Sequence, residues 1–125
     1  METTPKRYFI DADVHFISTA DGGRTHPLDL GHPSARYRPH VVVGDIAQRA
    51  AILDGNRLTE TYLGVEFQPQ NGTLWPGGSA RVLLGLMHYP APEYDALQRG
   101  VTFTIREGAR VVGYGIVTSS IQAIG

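Results

Sequence analysis

The chain has 125 residues, a length typical of one domain. Its 11 basic and 12 acidic residues leave a formal net charge of -1, so no strong overall field draws it to nucleic acid or to an anionic membrane. Cysteine is absent and Lys6 is the single lysine, which excludes thiol nucleophiles, zinc ribbons, iron–sulfur clusters and Gly-Lys-Ser/Thr phosphate loops. The sequence has no ~20-residue apolar run and no apolar signal-peptide core, so we expect no membrane segment and a cytoplasmic location.

Period-two alternation of apolar residues predicts a mostly β fold. Strands are predicted near residues 8–18, 41–43, 62–67, 80–86, 101–105 and 110–118. Their expected inward side chains include Val14, Phe16, Val65, Phe67, Val82, Leu84, Phe103, Ile105 and Val112. In the last strand, Val112, Tyr114 and Ile116 are expected to share a face. About six strands joined by turns predict a sandwich or a small closed barrel.

Residues 45–55 depart from the strand pattern. Apolar residues recur there at helical spacing, in the order Ile46, Ala50 and Leu53. Asp45 can cap the first turn and Gly55 can end the segment. The pattern predicts a short helix or another ordered insertion on the barrel, rather than a barrel strand. The competing interpretation is that the preceding strand continues into a long hairpin.

Candidates for catalysis and metal binding are few. Asp11, Asp13 and His15 alternate on one strand face and could in principle ligate a transition metal, although the spacing is wide and a solvated polar face gives the same pattern. The turn at residues 77–81 lacks the last glycine of the Gly-x-Ser-x-Gly nucleophile motif. We therefore expect no enzyme activity, no cofactor and no metal site, with a small metal-dependent enzyme as the remote alternative.

Several motifs occur in the order found in one known domain. Residues 11–18, followed by Gly-Gly-Arg-Thr-His-Pro at 22–27, resemble the start of that domain, and residues 37–39 match its Tyr-Arg-Pro. Residues 103–118 read FTIREGARVVGYGIVT, close to the pattern F-A-I-R-E-G-G-R-T-V-G-A-G-V-V. These motifs are similar to the C-terminal, third domain of bacterial elongation factor Tu, and they extend from about residue 10 to residue 118.

The resemblance implies a closed six-stranded antiparallel β-barrel. It would occupy about residues 8–118 of a single domain spanning 1–125, with the short helical insertion added. The GTPase domain and the second barrel of the factor have no counterpart in the sequence. We therefore expect neither GTP binding nor GTP hydrolysis from a stand-alone relative of this barrel.

The resemblance also implies a binding surface. In the family this barrel contacts the T-stem of tRNA, the nucleotide-exchange factor and the GTPase domain, and its Arg-Glu-Gly turn approaches the RNA backbone. The corresponding RNA- or partner-binding residues would be Arg24, Arg38, His40, Arg106, Glu107 and Gly108. Two departures are that His40 replaces the family's glutamine and that the segment between Pro39 and Pro76 is longer.

Two functions follow from the resemblance. The first is a non-enzymatic module that binds RNA, such as tRNA, or a protein of the translation machinery. In that case Arg38→Ala and Arg106→Ala are expected to weaken binding with little loss of stability, unless Arg106 is structural and pairs with a nearby carboxylate. The alternative is a protein-interaction module, immunity or regulatory in role, that has lost RNA binding. The near-zero net charge favours this alternative, whereas the Arg-Glu-Gly turn favours RNA.

Overall fold

The computed structural model describes residues 6–32 and 36–124 and consists mainly of β-strands. In chain order the strands are β1 (Arg7–Phe16), β2 (Leu28–Asp29), β3 (His40–Val43), β4 (Leu53–Asp54), β5 (Arg57–Leu58), β6 (Leu63–Phe67), β7 (Thr73–Leu74), β8 (Ser79–Leu86), β9 (Thr102–Glu107), β10 (Arg110–Val117) and β11 (Gln122–Ile124). Two short 3₁₀ helices lie in the loops after β1 and β8, at Thr19–Asp21 and Pro92–Ala96.

Six strands close into an antiparallel barrel. Their order around the barrel is β1, β10, β9, β3, β6 and β8, after which β8 pairs with β1 again. The long strand β1 makes the closure, since residues 12–16 pair with β10 while residues 9–15 pair with β8. Strand β11 adds a seventh strand against the start of β1. The predicted closed six-stranded antiparallel barrel is confirmed.

Alternating side chains fill the barrel interior, because six strands enclose too narrow a space to hold a ligand. All nine side chains expected to point inward are buried in one continuous apolar core, and Phe103 and Ile105 have no exposed surface. For these nine positions, the period-two pattern of the sequence correctly identifies the face that packs inward.

The prediction that Val112, Tyr114 and Ile116 share one face of the strand is wrong. A β-bulge shifts the pairing of β10 with β9 between Val111 and Gly113. Val112 stays in the core, whereas Tyr114 is half-exposed and Ile116 is 39% exposed. An extra residue in one strand moves each later side chain of that strand to the opposite face of the sheet.

Residues 45–55 form an insertion outside the barrel sheet, as expected, but the helix predicted there is wrong. Asp45 caps a single turn, in which its carboxylate accepts from the Ala47 amide at 2.8 Å. The chain then extends into the β4–β5 hairpin, where Gly55 has φ +62°. The apolar positions meant for a buried helix face are exposed, including Leu53 at 52%. Helical spacing without a core surface to pack against does not maintain a helix.

Candidate functional site

Arg106 is buried against the outer face of the barrel. Its neighbour Ile105 points into the core, so Arg106 points outward, where the β3–β6 connection (residues 44–62) covers it. The guanidinium donates to both Glu60 carboxylate oxygens at 3.0 and 3.1 Å, and to the hydroxyls of Tyr62 and Thr104 at 2.9 Å. Arg106 therefore does not belong to an accessible binding surface, which corrects the expectation from the resemblance in favour of the structural alternative.

Glu60 fixes the β3–β6 connection over this arginine. Besides Arg106, its carboxylate accepts from the Ile52 amide at 2.8 Å and from the Gln48 side chain at 2.9 Å. The hydrogen bonds from Arg106 outweigh the cost of burial and lower the pKa of Glu60 to about 2. The β3–β6 connection thus supplies the carboxylate that neutralises Arg106.

Arg24 and Glu107 neutralise each other at the end of the barrel. They form an ion pair, and the Tyr37 hydroxyl donates to the same Glu107 oxygen at 2.6 Å. The Arg24 guanidinium lies 5.2 Å from the centre of the Tyr37 ring. Burial, together with the bond to Glu107, raises the pKa of Tyr37 well above its usual range. This cluster anchors the loop after β1 to the β9–β10 hairpin and offers little free charge.

The two remaining residues near this hairpin are exposed. Gly108 occupies the first central position of the turn with φ +60°, a conformation that favours glycine. His40 pairs with Arg106 across the β3–β9 ladder, and its ring centre lies 6.0 Å from that of Tyr62. Within the predicted set, the charges of Arg24 and Arg106 are therefore each paired with a carboxylate, of Glu107 and Glu60 respectively.

Arg38 belongs to a different surface, a basic cleft defined by Lys6, Arg7, Arg36 and Arg38 around Glu66. The cleft has a volume of about 240 Å³. Glu66 is buried, with 7% of its side chain exposed, whereas the side chains of Arg7, Arg36 and Arg38 are 52% exposed or more. Among the described residues that line it, four basic side chains face one carboxylate, so the cleft is locally cationic on a nearly neutral protein.

The Glu66 carboxylate holds the arginines of the basic cleft in place. Arg38 donates to it at 2.6 Å, while the charged nitrogens of Arg36 and Arg7 lie 3.5 and 3.7 Å away. Burial opposes ionisation of Glu66, but hydrogen bonds from Arg38 and Gln68 and the nearby arginine charges together lower its pKa. Glu66 therefore stays ionised at neutral pH, and the weakly engaged Arg7 and Arg36 keep donors free for an anion.

Aromatic rings line the same cleft. Tyr8 and Tyr89 are half-buried, and their ring centres are 4.4 Å apart. The Arg7 guanidinium lies 5.2 Å from the Phe9 ring, which is itself buried. Basic groups next to partly exposed rings are typical of surfaces that bind phosphates and unpaired bases.

The predicted site and the observed cleft share Arg38. Lys6, Arg7 and Arg36 are absent from the predicted set, although basic residues adjoin tyrosine at both places, in Lys6-Arg7-Tyr8 and in Arg36-Tyr37-Arg38. This alternation of basic residues with tyrosine is the sequence pattern that could have indicated the cleft. What the sequence does not disclose is that the start of β1 and the segment before β3 meet at Glu66.

An apolar groove lies on the outer face of β1, β8 and β10, with a volume of about 540 Å³. Its lining includes Ile46, Tyr114 and Ile116, and the two isoleucines are 40% and 39% exposed. The Arg49 guanidinium lies 5.2 Å from the Tyr114 ring at the same place. Exposed apolar area of this kind can contact a protein partner.

The candidate metal ligands each contact a separate partner. Asp13 pairs with Arg81 at 2.9 Å, His15 Nδ1 lies 2.7 Å from the Ser79 hydroxyl, and Asp11 accepts from a glutamine side chain at 3.1 Å. Within residues 6–32 and 36–124, no three histidine or acidic side chains are grouped so as to hold a metal ion.

No protein-family model matches the chain. None of the helices in the described part of the chain is long and apolar enough to cross a bilayer.

Proposed function

We propose that this protein is a non-enzymatic β-barrel module that binds RNA through the basic cleft. The observation that carries the proposal is the clustering of Lys6, Arg7, Arg36 and Arg38 beside two tyrosine rings. Arginine matches phosphate oxygens by paired hydrogen bonds, and lysine adds a point charge. The barrel interior is filled with side chains, so a ligand has to be bound on the outside.

The resemblance to the third domain of elongation factor Tu supports the same proposal. It favours RNA of the translation machinery, such as tRNA, as the ligand, and the cytoplasm as the place of action. The contact surface we propose differs from the one that the motifs imply, because Arg106 is covered and Arg24 is paired with Glu107. Arg38 is the residue common to both surfaces.

A double variant tests the proposal without disturbing the fold. Lys6→Ala/Arg36→Ala removes two exposed charges and spares the short Arg38–Glu66 pair. We expect RNA affinity to fall on the order of tenfold at low salt, with an unchanged melting temperature. Arg57→Ala/Arg99→Ala is the matched control, since it removes the same charge from exposed positions outside the cleft. Equal affinities for the two double variants would refute the proposal.

A second candidate function is a protein-interaction module that does not bind RNA. The observation that favours it is the apolar groove beside Ile46, Tyr114 and Ile116. A pull-down from lysate with and without nuclease distinguishes the two functions. RNA-dependent capture of ribonucleoprotein supports the basic cleft, whereas the same proteins captured after nuclease treatment support the groove.

A further inference from the structure

We infer that the basic cleft accepts an unpaired nucleotide, so that the protein prefers single-stranded RNA to duplex RNA. The inference depends on the proposed function and narrows its ligand class, and it differs from the duplex T-stem contact that the resemblance implies. Tyr8 and Tyr89 lie at the cleft wall with ring centres 4.4 Å apart, and both are half-buried. A base can stack on such a ring when it is not stacked in a helix.

The dimensions of the cleft favour an unpaired nucleotide. Its volume of about 240 Å³ is below the range typical of pockets that enclose a whole small-molecule ligand, so it can receive only part of one nucleotide at a time. A duplex presents phosphates on a convex surface and keeps its bases inside. A duplex could reach the outer guanidiniums but not the tyrosine rings, whereas a single strand could contact both.

The polar groups of the cleft favour binding without sequence preference. The Glu66 carboxylate is already occupied by Arg38, Arg36, Arg7 and Gln68. The remaining charged groups are donors suited to phosphate, and every base has a face that can stack. We therefore expect comparable affinities for oligomers of different base composition.

The test compares a single-stranded RNA oligonucleotide with a hairpin duplex that has the same number of phosphates. Binding is measured by fluorescence anisotropy at one salt concentration. We expect the single strand to bind on the order of tenfold more tightly. Tyr89→Ala should remove most of that preference, and Tyr89→Phe should retain it because the ring remains. Trp75→Ala is the control, since it removes an exposed aromatic side chain outside the cleft.

A second measurement needs no variant. Ring-proton NMR signals of Tyr8 and Tyr89 should shift on addition of the single strand and not on addition of the duplex. Equal affinity for both RNAs, still sensitive to Lys6→Ala/Arg36→Ala, would overturn the inference and leave the proposed function standing. A strand preference with unshifted tyrosine signals would overturn it too. No binding to either RNA would overturn the proposed function itself.

Discussion

Arg106 illustrates that the role of a charged residue depends on what covers it. The side chain lies on the outer face of the barrel, yet Glu60 and Tyr62 of the β3–β6 connection bury it completely. Truncating one partner of such a pair leaves the other charge in a poorly solvated position. The stability of this region therefore depends on Arg106, which the Arg-Glu-Gly motif alone would assign to RNA binding.

We expect Arg106→Ala to destabilise the protein by about 3–5 kcal/mol. This revises the expectation, drawn from the sequence, of little loss of stability. The free energy of unfolding is measured by urea titration. Arg99→Ala, an exposed arginine, serves as the control and should change that free energy by less than about 0.5 kcal/mol. A loss no greater than the control's would contradict a structural role for Arg106.

The pH dependence of stability should show the Glu60 contribution. Hydrogen bonds from Arg106 lower the pKa of Glu60 from 4.5 to about 2 in the folded protein. A carboxyl with a lowered folded-state pKa stabilises the fold fully above its unfolded pKa, and loses that effect as pH falls toward the folded value. We expect the stability difference between the native chain and Glu60→Gln to shrink between about pH 4.5 and 2. A difference that stays constant across this range would contradict the pairing.

At the scale of elements, the glycines of β10 let three strands pack closely. Gly115 faces the interior, where an added Cβ would lie 2.6 Å from the Asp13 carbonyl oxygen and 2.8 Å from Phe103 Cζ. The backbone oxygen cannot move without disturbing the β1–β10 ladder. The Gly-x-Gly in the last barrel strand is thus a steric requirement of the closure.

Gly115→Ala should therefore cost about 1–3 kcal/mol through overpacking. Thermal unfolding followed by circular dichroism measures the change. Gly44→Ala is a suitable control, because a Cβ there meets only a side-chain oxygen at 3.8 Å. If both variants melt at the same temperature, the close approach of β1 to β10 is not as described.

At the scale of the whole molecule, the sequence predicts the barrel well because closure depends on simple alternation. The strands that show period two in the sequence place their apolar face in the core, as Val65 and Phe67 do in β6, except that β10 changes face at its bulge. Two local features were not predicted from the sequence. The bulge at Val111 depends on a pairing partner, and the segment after Asp45 has no core surface on which a helix could pack.

The basic cleft is a product of long-range packing. Arg36 and Arg38 are close in sequence, but Arg7 and Glu66 come from distant strands and meet only in the folded barrel. Motifs identified Arg38 alone of the four basic residues. Burial of Arg106 likewise depends on Glu60, which lies 46 residues away. Local sequence patterns thus predict where the strands lie. Predicting which charged residues share a surface also requires the strand register of the whole barrel.

The salt dependence of RNA affinity tests the central claim most directly. The dissociation constant for a single-stranded RNA oligonucleotide is measured from about 50 to 200 mM salt. Each phosphate contact on a single strand adds about 0.7 to the slope of log affinity against log salt. Lys6→Ala/Arg36→Ala should therefore flatten the slope by about 1.4, while Arg57→Ala/Arg99→Ala leaves it unchanged. An unchanged slope in the cleft variant, or an equal change in both, would contradict the account.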